Sequence, residues 1–333
     1  MKTLNELYPT PYDLKESLKC ILRICFRTGR KNPLNIQFID KKICLNPIKK
    51  QKKIGFIGDI MQVTGKRVHF SPEMIDFFKG CDAIIGNFEA TITKVEHQRY
   101  ALRQDEIIID ALKELFPPDK FYLSIANNHA GDFGEIACRK SAQLLTDNGF
   151  HVFGFKESPF IDINENVRVW TGTMWSNEPC DYIARFDDLF DFNKNNSTSS
   201  IDKTDNVLFN ICYPHWGYEI ELYPRADIVH KGLTLFEKFD MVIGSHSHTI
   251  QPVAHNKIDS VNKLTAYSLG DFCFCYNLSK YIYGEIVTAE IGPNVEGKWL
   301  TGNVNWSFIK SQSPNKQEIL VSLVEQIPFF PNL

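Results

Sequence analysis

From Lys53 onward, short apolar runs alternate with stretches of helical periodicity. The runs at 54–58, 83–86, 121–126, 151–155, 167–172, 207–213 and 240–244 predict strands. Between many of them, 72–79, 105–116, 134–148 and 224–239 predict helices. Such alternation argues for an α/β architecture with largely parallel strands. After Gly244 the helical pattern stops, and 265–269, 285–291 and 298–308 read as a β meander forming a second sheet packed on the first. The polar stretch 187–206 is the one obvious long loop, and no internal repeat is visible.

Before Lys53 the pattern is different. Leu14, Leu18, Ile21, Leu22 and Cys25 fall on one face of a helix, with Thr10 as its cap, Pro11 at its first position and Gly29 past its end. Lys15, Lys19, Arg23 and Arg27 form a basic row beside that face. The plainer expectation buries the apolar face against the body and leaves a solvated basic edge. The alternative is a helix on an anionic membrane surface or polyanion, that is, peripheral membrane contact through residues 11–30. Charge sharpens the contrast. Residues 1–53 hold thirteen Lys/Arg against four Asp/Glu, a balance of +9, within a chain of net charge −3, so the other 280 of 333 residues carry −12. A basic arm on an acidic body gives little reason to expect nucleic-acid binding. The division expected is a basic extension at 1–53 with one amphipathic helix, a body at 54–310 and a C-terminal extension at 311–333.

Composition narrows the class. With 43% hydrophobic and 23% charged residues the chain is globular. It holds no run approaching the ~20 apolar residues of a spanning helix. Nine cysteines without CxxC spacing suggest reduced thiols. Its first residues lack the apolar core of a secretory signal, so the expected location is cytoplasmic, in one reading peripheral to the membrane.

The candidate chemistry gathers where the strands end, the edge at which open α/β sheets build their sites. These ends read Gly58-Asp59, Gly86-Asn87-Phe88-Glu89, Ala126-Asn127-Asn128-His129 followed by Asp132, His215-Trp216-Gly217 followed by Glu219, and Gly244-Ser245-His246-Ser247-His248. Each alone is weak, since a strand-end Gly-Asp is usually a turn and a lone histidine usually a satisfied one. In an extended segment, however, His246 and His248 point the same way and can reach one site. Five strand ends offering oxygens and imidazoles together point to a metal site, and that donor mixture suits Mn, Fe or Zn rather than a structural thiolate zinc.

The order of these pieces resembles the calcineurin-like metallophosphoesterase arrangement. More specifically, with Gly58-Asp59-Ile60-Met61, Asn127-Asn128-His129-Ala130-Gly131-Asp132, Gly244-Ser245-His246-Ser247-His248 and Ser268-Leu269-Gly270-Asp271-Phe272, the chain resembles the CapA-like family of bacterial poly-γ-glutamate capsule biosynthesis proteins over about 54–275. The resemblance implies a four-layer α/β/β/α sandwich, metallo-dependent phosphatase-like, with two divalent metal ions. Asp59, Glu89 and His248 would hold one ion. Glu89, Asn128, His215 and His246 would hold the other, with Glu89 bridging. His129 would act beside the attacked centre as general acid or charge stabiliser, with Asp132 placed to orient it. Asn87, Glu219 and Asp271 would contact the ligands or the substrate. Met61 stands where ordinary metallophosphoesterases carry a histidine, and Asp271 where the family usually has Asn.

The expected function is a metal-dependent hydrolase linked to capsule or poly-γ-glutamate biosynthesis, activating water against a phosphoester or amide bond, with an anionic polymer or phosphoester as substrate. The alternative is a non-catalytic capsule-assembly or polyanion-binding protein on the same fold. Retention of every metal ligand except that at Met61 favours the hydrolase.

Overall fold

Parallel strands covered on both faces are buried along most of their length, as are Lys52–Ile60, Ala83–Phe88, Val167–Thr173 and Phe209–His215. The computed structural model describes residues 10–26, 28–63, 65–95, 100–187, 207–274 and 281–331. Two large sheets form within them. In spatial order the first holds Arg67–Phe70, Glu318–Val324, Trp299–Asn315, Tyr283–Pro293, Lys52–Ile60, Ala83–Phe88, Phe121–Ser124 and His151–Phe153. The second holds Ile250–Ile258, Val261–Leu269, Met241–Ile243, Phe209–His215, Val167–Thr173 and Phe160–Asn164.

Alternation along the strands assigns the layers. Ile54 and Phe56 join Ile85, Val169, Ile211 and Ile243 in the core between the sheets. Ile57 and Ile84 face outward into a core shared with Ile108, Leu112 and Leu145, from the helices Ile107–Leu115 and Gly134–Asp147. On the other sheet, Trp170, Cys212 and Val242 share theirs with Ile228, Val229 and Leu235 of the helix Ala226–Leu235. The result is the expected four-layer α/β/β/α sandwich. All eight described cysteines are free. Among the described residues no helix is long and apolar enough to cross a membrane.

The meander does not form the second sheet by itself. Ile250–Ile258 and Val261–Leu269 extend that sheet, but Tyr283–Pro293 pairs with Lys52–Ile60 and carries Trp299–Asn315 into the first. Lys42–Cys44 and Glu318–Val324 both pair with Trp299–Asn315, so segments near both termini join the first sheet. Apart from Asp187, the predicted loop at 187–206 lies outside the described residues.

The arm helix, Leu14–Cys25, differs from expectation in its cap and its orientation. Its cap is Asp13 rather than Thr10, because the Asp13 carboxylate accepts the Glu16 N–H at 2.7 Å. Gly29 instead joins the body, its N–H donating to Ile220 O at 2.8 Å. Leu14, Leu18, Ile21 and Leu22 are exposed, while Glu16, Ser17, Cys20 and Arg23 are buried. The polar face packs inward because its charges close on those of the body. Arg23 meets Glu16 at 2.9 Å and Glu221 at 3.2 Å, and Arg225 meets Glu221 at 2.7 Å and also bonds Glu16. Burial opposes ionisation of Glu16, but Arg225 and Arg23 outweigh it and hold the carboxyl below its usual value. Arg27 lies outside the described residues.

Candidate metal centre

Asp59 reaches the site because its strand comes against Gly270, just past the strand Val261–Leu269, without intervening side chains. A Cβ on Gly58 would lie 1.9 Å from Gly270 O, and one on Gly244 would lie 2.2 Å from Trp216 Nε1. Only glycine allows either approach. Asp59 N–H donates to Gly270 O at 2.9 Å, and Asp271 pairs in register with Asp59. The parallel strand beside it delivers Asn87 and, just past its end, Glu89. Asn87 Nδ2 donates to Asp59 Oδ1 at 2.7 Å and to Glu89 Oε2 at 3.3 Å, tying the two carboxylates together.

The second sheet supplies the histidines. His215 ends the strand Phe209–His215, and the segment after Met241–Ile243 carries His246 and His248. That segment is not extended, as the His-x-His spacing suggested. His246 (φ 95°) and His248 (φ 54°) take left-handed backbone, a conformation costing of order 1–3 kcal/mol each away from glycine. The His246 N–H donates to Asp59 Oδ2 at 3.0 Å, and Ser247 Oγ donates to Thr249 O at 2.7 Å, which fix the turn. The two imidazoles converge nonetheless, with ring centroids 6.1 Å apart.

Around His215 Nε2 lie Asn128 Oδ1 at 2.7 Å, His246 Nδ1 at 3.0 Å and Glu89 Oε1 at 3.7 Å. Ligand atoms bound to a common ion at roughly 2.0–2.2 Å sit at about such separations from one another. Glu89, His215 and His246 offer atoms all within 4.8 Å of each other, as do Asp59, His248 and Asp271. His248 Nε2 lies 3.7 Å from Glu89 Oε1, while its Nδ1 lies 2.8 Å from Asp271 Oδ1 and 3.8 Å from Asp59 Oδ2. Thus Glu89 Oε1 stands between the two histidine groups. It is buried and has no hydrogen-bond partner, and the same is true of Asp271 Oδ2. Buried carboxylate oxygens left unpaired are costly, and a cation among these donors would satisfy both. The residues therefore fit a divalent metal.

Electrostatics agree with the geometry. Burial, reinforced by Asp59, pushes the Glu89 carboxyl well above its usual range. Burial likewise raises Asp59 and lifts Asp271 to about 7. Burial and neighbouring imidazoles hold His215 and His246 well below the usual histidine value. Burial also acts to lower His248, but the Asp271 and Glu89 carboxylates outweigh it and raise it well above that value.

His129 belongs to neither ligand group. Its Nδ1 lies 2.7 Å from Asp132 Oδ2, which also accepts the Leu102 N–H at 2.7 Å. Glu219 sits at the rim, its backbone N–H donating to Tyr12 Oη at 3.1 Å. Met61 is buried in the core shared with the outer helices.

Three residues of the site had no signal in the sequence. Tyr12, from the arm, is buried with its Oη 2.8 Å from His246 Nε2. Trp175 packs edge-on against Tyr12 at 4.9 Å and donates to Gly217 O at 2.6 Å. Asn177 Nδ2 lies 3.3 Å from His129 Nε2, and its Oδ1 accepts from Asn128 Nδ2 at 3.1 Å. Trp175 and Asn177 follow the strand Val167–Thr173, another carboxyl-end edge, but are neither acids nor histidines.

Among solved structures, the chain is similar to a hypothetical protein from Thermus thermophilus, at 12% identity and TM-score 0.44, over 76% of this chain and 98% of that one. A Staphylococcus aureus protein provisionally named a 5'-nucleotidase, solved with alpha-ketoglutarate, shares 10% identity at TM-score 0.44 over 76% of this chain and 54% of its own. Similarities this remote bear on neither reaction nor ligand. No curated protein matches the chain. The bacterial capsule synthesis protein PGA_cap model matches residues 53–276, a span that begins at the strand carrying Asp59 and includes every candidate metal ligand. The chain therefore belongs to the bacterial capsule synthesis protein family.

Proposed function

We propose that the protein is a metal-dependent hydrolase of capsule polymer synthesis, acting on a phosphoester or amide bond of an anionic polymer or related phosphoester. The observation that carries this reading is Glu89 Oε1, buried without a hydrogen-bond partner and 3.7 Å from both His215 Nε2 and His248 Nε2. Glu89, Asn128, His215 and His246 would hold one ion. Asp59, Glu89 and His248 would hold a second, with Asp271 against His248 Nδ1. Mn, Fe or Zn suits these donors. Such ions supply Lewis-acid polarisation of the attacked centre and make water acidic enough to react near neutral pH.

The protein's own groups would do the rest. Asp132 fixes the His129 ring through Nδ1, and that ring would deliver a proton to the leaving group. Asn177 couples that ring to the ligand Asn128. Asn87 holds Asp59 and Glu89 at a fixed separation, so neither must reorganise when substrate arrives.

The test is a panel of phosphodiesters, phosphomonoesters and γ-glutamyl amides assayed with added Mn²⁺. His129→Ala should keep its metal yet lose ~10²–10⁴-fold in turnover of the active substrate, the usual share of a general acid. Loss of metal in parallel with activity would make His129 a ligand. A metal-loaded protein inactive across the panel would favour the non-catalytic polymer-binding reading, for which Met61 in place of a ligand histidine speaks.

A further inference from the structure

The helix Leu14–Cys25 presents an unusual surface. At 100° per residue, Leu14, Leu18, Ile21, Leu22, Cys25 and Phe26 cover an arc of about 140°. This arc faces solvent, with Leu14 61%, Leu18 52%, Leu22 56% and Phe26 75% exposed. The opposite face is the one that holds the helix to the body, through Glu16 and Arg23. Among the described residues, the apolar stripe is therefore not needed for packing.

A second feature adjoins it. A cleft of about 590 Å³ opens beside the helix, lined by Lys19, Leu22, Arg30, Lys31, Pro33 and Arg225 among others. The nearby acids Glu16 and Glu221 are engaged with Arg23 and Arg225. Lys15, Lys19, Arg30 and Lys31 remain outward and exposed around the stripe, although Lys19 also lies 3.6 Å from Glu16. The exposed Asp13 carboxylate is taken by its capping bond. Basic groups thus rim an apolar stripe on one face, while residues 54–333 carry a net −12.

We propose that this face docks the protein on an anionic phospholipid bilayer. The apolar edge of the helix enters the interfacial layer, and the basic cleft takes headgroup phosphates. The charge distribution selects this occupant, since an anionic bilayer attracts the arm and repels the rest of the surface. It also fixes the orientation, arm toward the lipid. Because Tyr12 directly precedes the helix cap, docking engages the same segment that touches His246. The proposal concerns attachment alone and stands apart from the hydrolase reading.

The test is co-sedimentation of the full chain with vesicles. Protein should pellet with mixed phosphatidylglycerol–phosphatidylcholine vesicles at low salt, be released at high salt, and stay in solution with phosphatidylcholine alone. Lys19→Glu with Arg30→Glu should weaken binding by at least about five-fold for each basic group removed. Leu18→Ser with Leu22→Ser should abolish it. Both variants should keep the wild-type far-UV spectrum and metal content, which shows that they fold. Equal pelleting with neutral vesicles, or none with anionic ones, would overturn the proposal. So would a lipid-free dimer that the double serine variant turns into a monomer, since the face would then belong to a second copy.

Discussion

Tyr12 Oη lies 2.8 Å from His246 Nε2, joining residues 234 positions apart in the chain. The same oxygen accepts the Glu219 N–H at 3.1 Å. His246 turns its other nitrogen, Nδ1, toward His215 Nε2 and the candidate ion. A metal on Nδ1 requires the proton on Nε2, and Tyr12 is the group placed to accept it. The arm, which precedes the stretch matched by the family model, thus supports a ligand within that stretch.

Replacing Tyr12 with Phe should therefore loosen the metal without unfolding the protein. Groups that orient metal-bound histidines typically contribute about 10–100-fold to affinity. Titration with Co²⁺, followed by its visible absorption, should show a loss of that size, with the thermal midpoint nearly unchanged. Affinity equal to wild type would show that Tyr12 only fills space beside Trp175.

Asp271 allows a finer test. With its Oδ1 at 2.8 Å from His248 Nδ1, it is placed to orient that ring. An Asp271→Asn carbonyl can still accept the Nδ1 proton, so metal affinity should fall less than about ten-fold, whereas Asp271→Leu should lose about 10–100-fold. If Asp271→Asn loses as much as Asp271→Leu, the carboxylate binds the ion directly, with Asp59 and His248.

Much of this centre could be read from the sequence, and the reasons are physical. Asp59, Glu89, Asn128, His215, His246 and His248 sit at the ends of strands whose buried faces leave an apolar signature, so their placement on one edge followed from the pattern. Tyr12 could not be found that way, because it reaches the site from the arm, and Asn177, although it follows the strand Val167–Thr173, is neither an acid nor a histidine. The plainer expectation for the arm helix, an apolar face buried on the body, fails for a related reason. Apolar periodicity predicts the buried face only when the polar face lacks partners, and Glu16 and Arg23 find theirs in Arg225 and Glu221, some 200 residues away. The split of the C-terminal strands between the two sheets was equally hidden, since alternation within a strand does not name its neighbour.

Glu285 should make stability depend on pH. Its carboxylate, buried in the strand Tyr283–Pro293, has no hydrogen-bond partner on either oxygen, and burial pushes it well above the usual carboxylate value. The unfolded chain releases this proton near the ordinary value of ~4.3, so stability falls as pH rises from there toward the folded value, by up to about 1.4 kcal/mol per pH unit. Glu285→Gln removes that loss. It should raise the thermal midpoint at pH about 8 relative to wild type and have little effect at pH about 4, where both states hold the proton. A shift that is the same at both pH values would contradict this assignment.

The central claim is that the strand-end cluster holds divalent metal, and elemental analysis tests it most directly. Wild-type protein purified without chelator, or incubated with Mn²⁺, Fe²⁺ or Zn²⁺ and desalted, should retain at least about one ion per chain. Glu89→Ala, which removes the oxygen facing both His215 and His248, should lose nearly all of it, and His215→Ala a large part. Wild-type protein that stays metal-free under all three ions, or Glu89→Ala protein that keeps the full complement, would contradict the account.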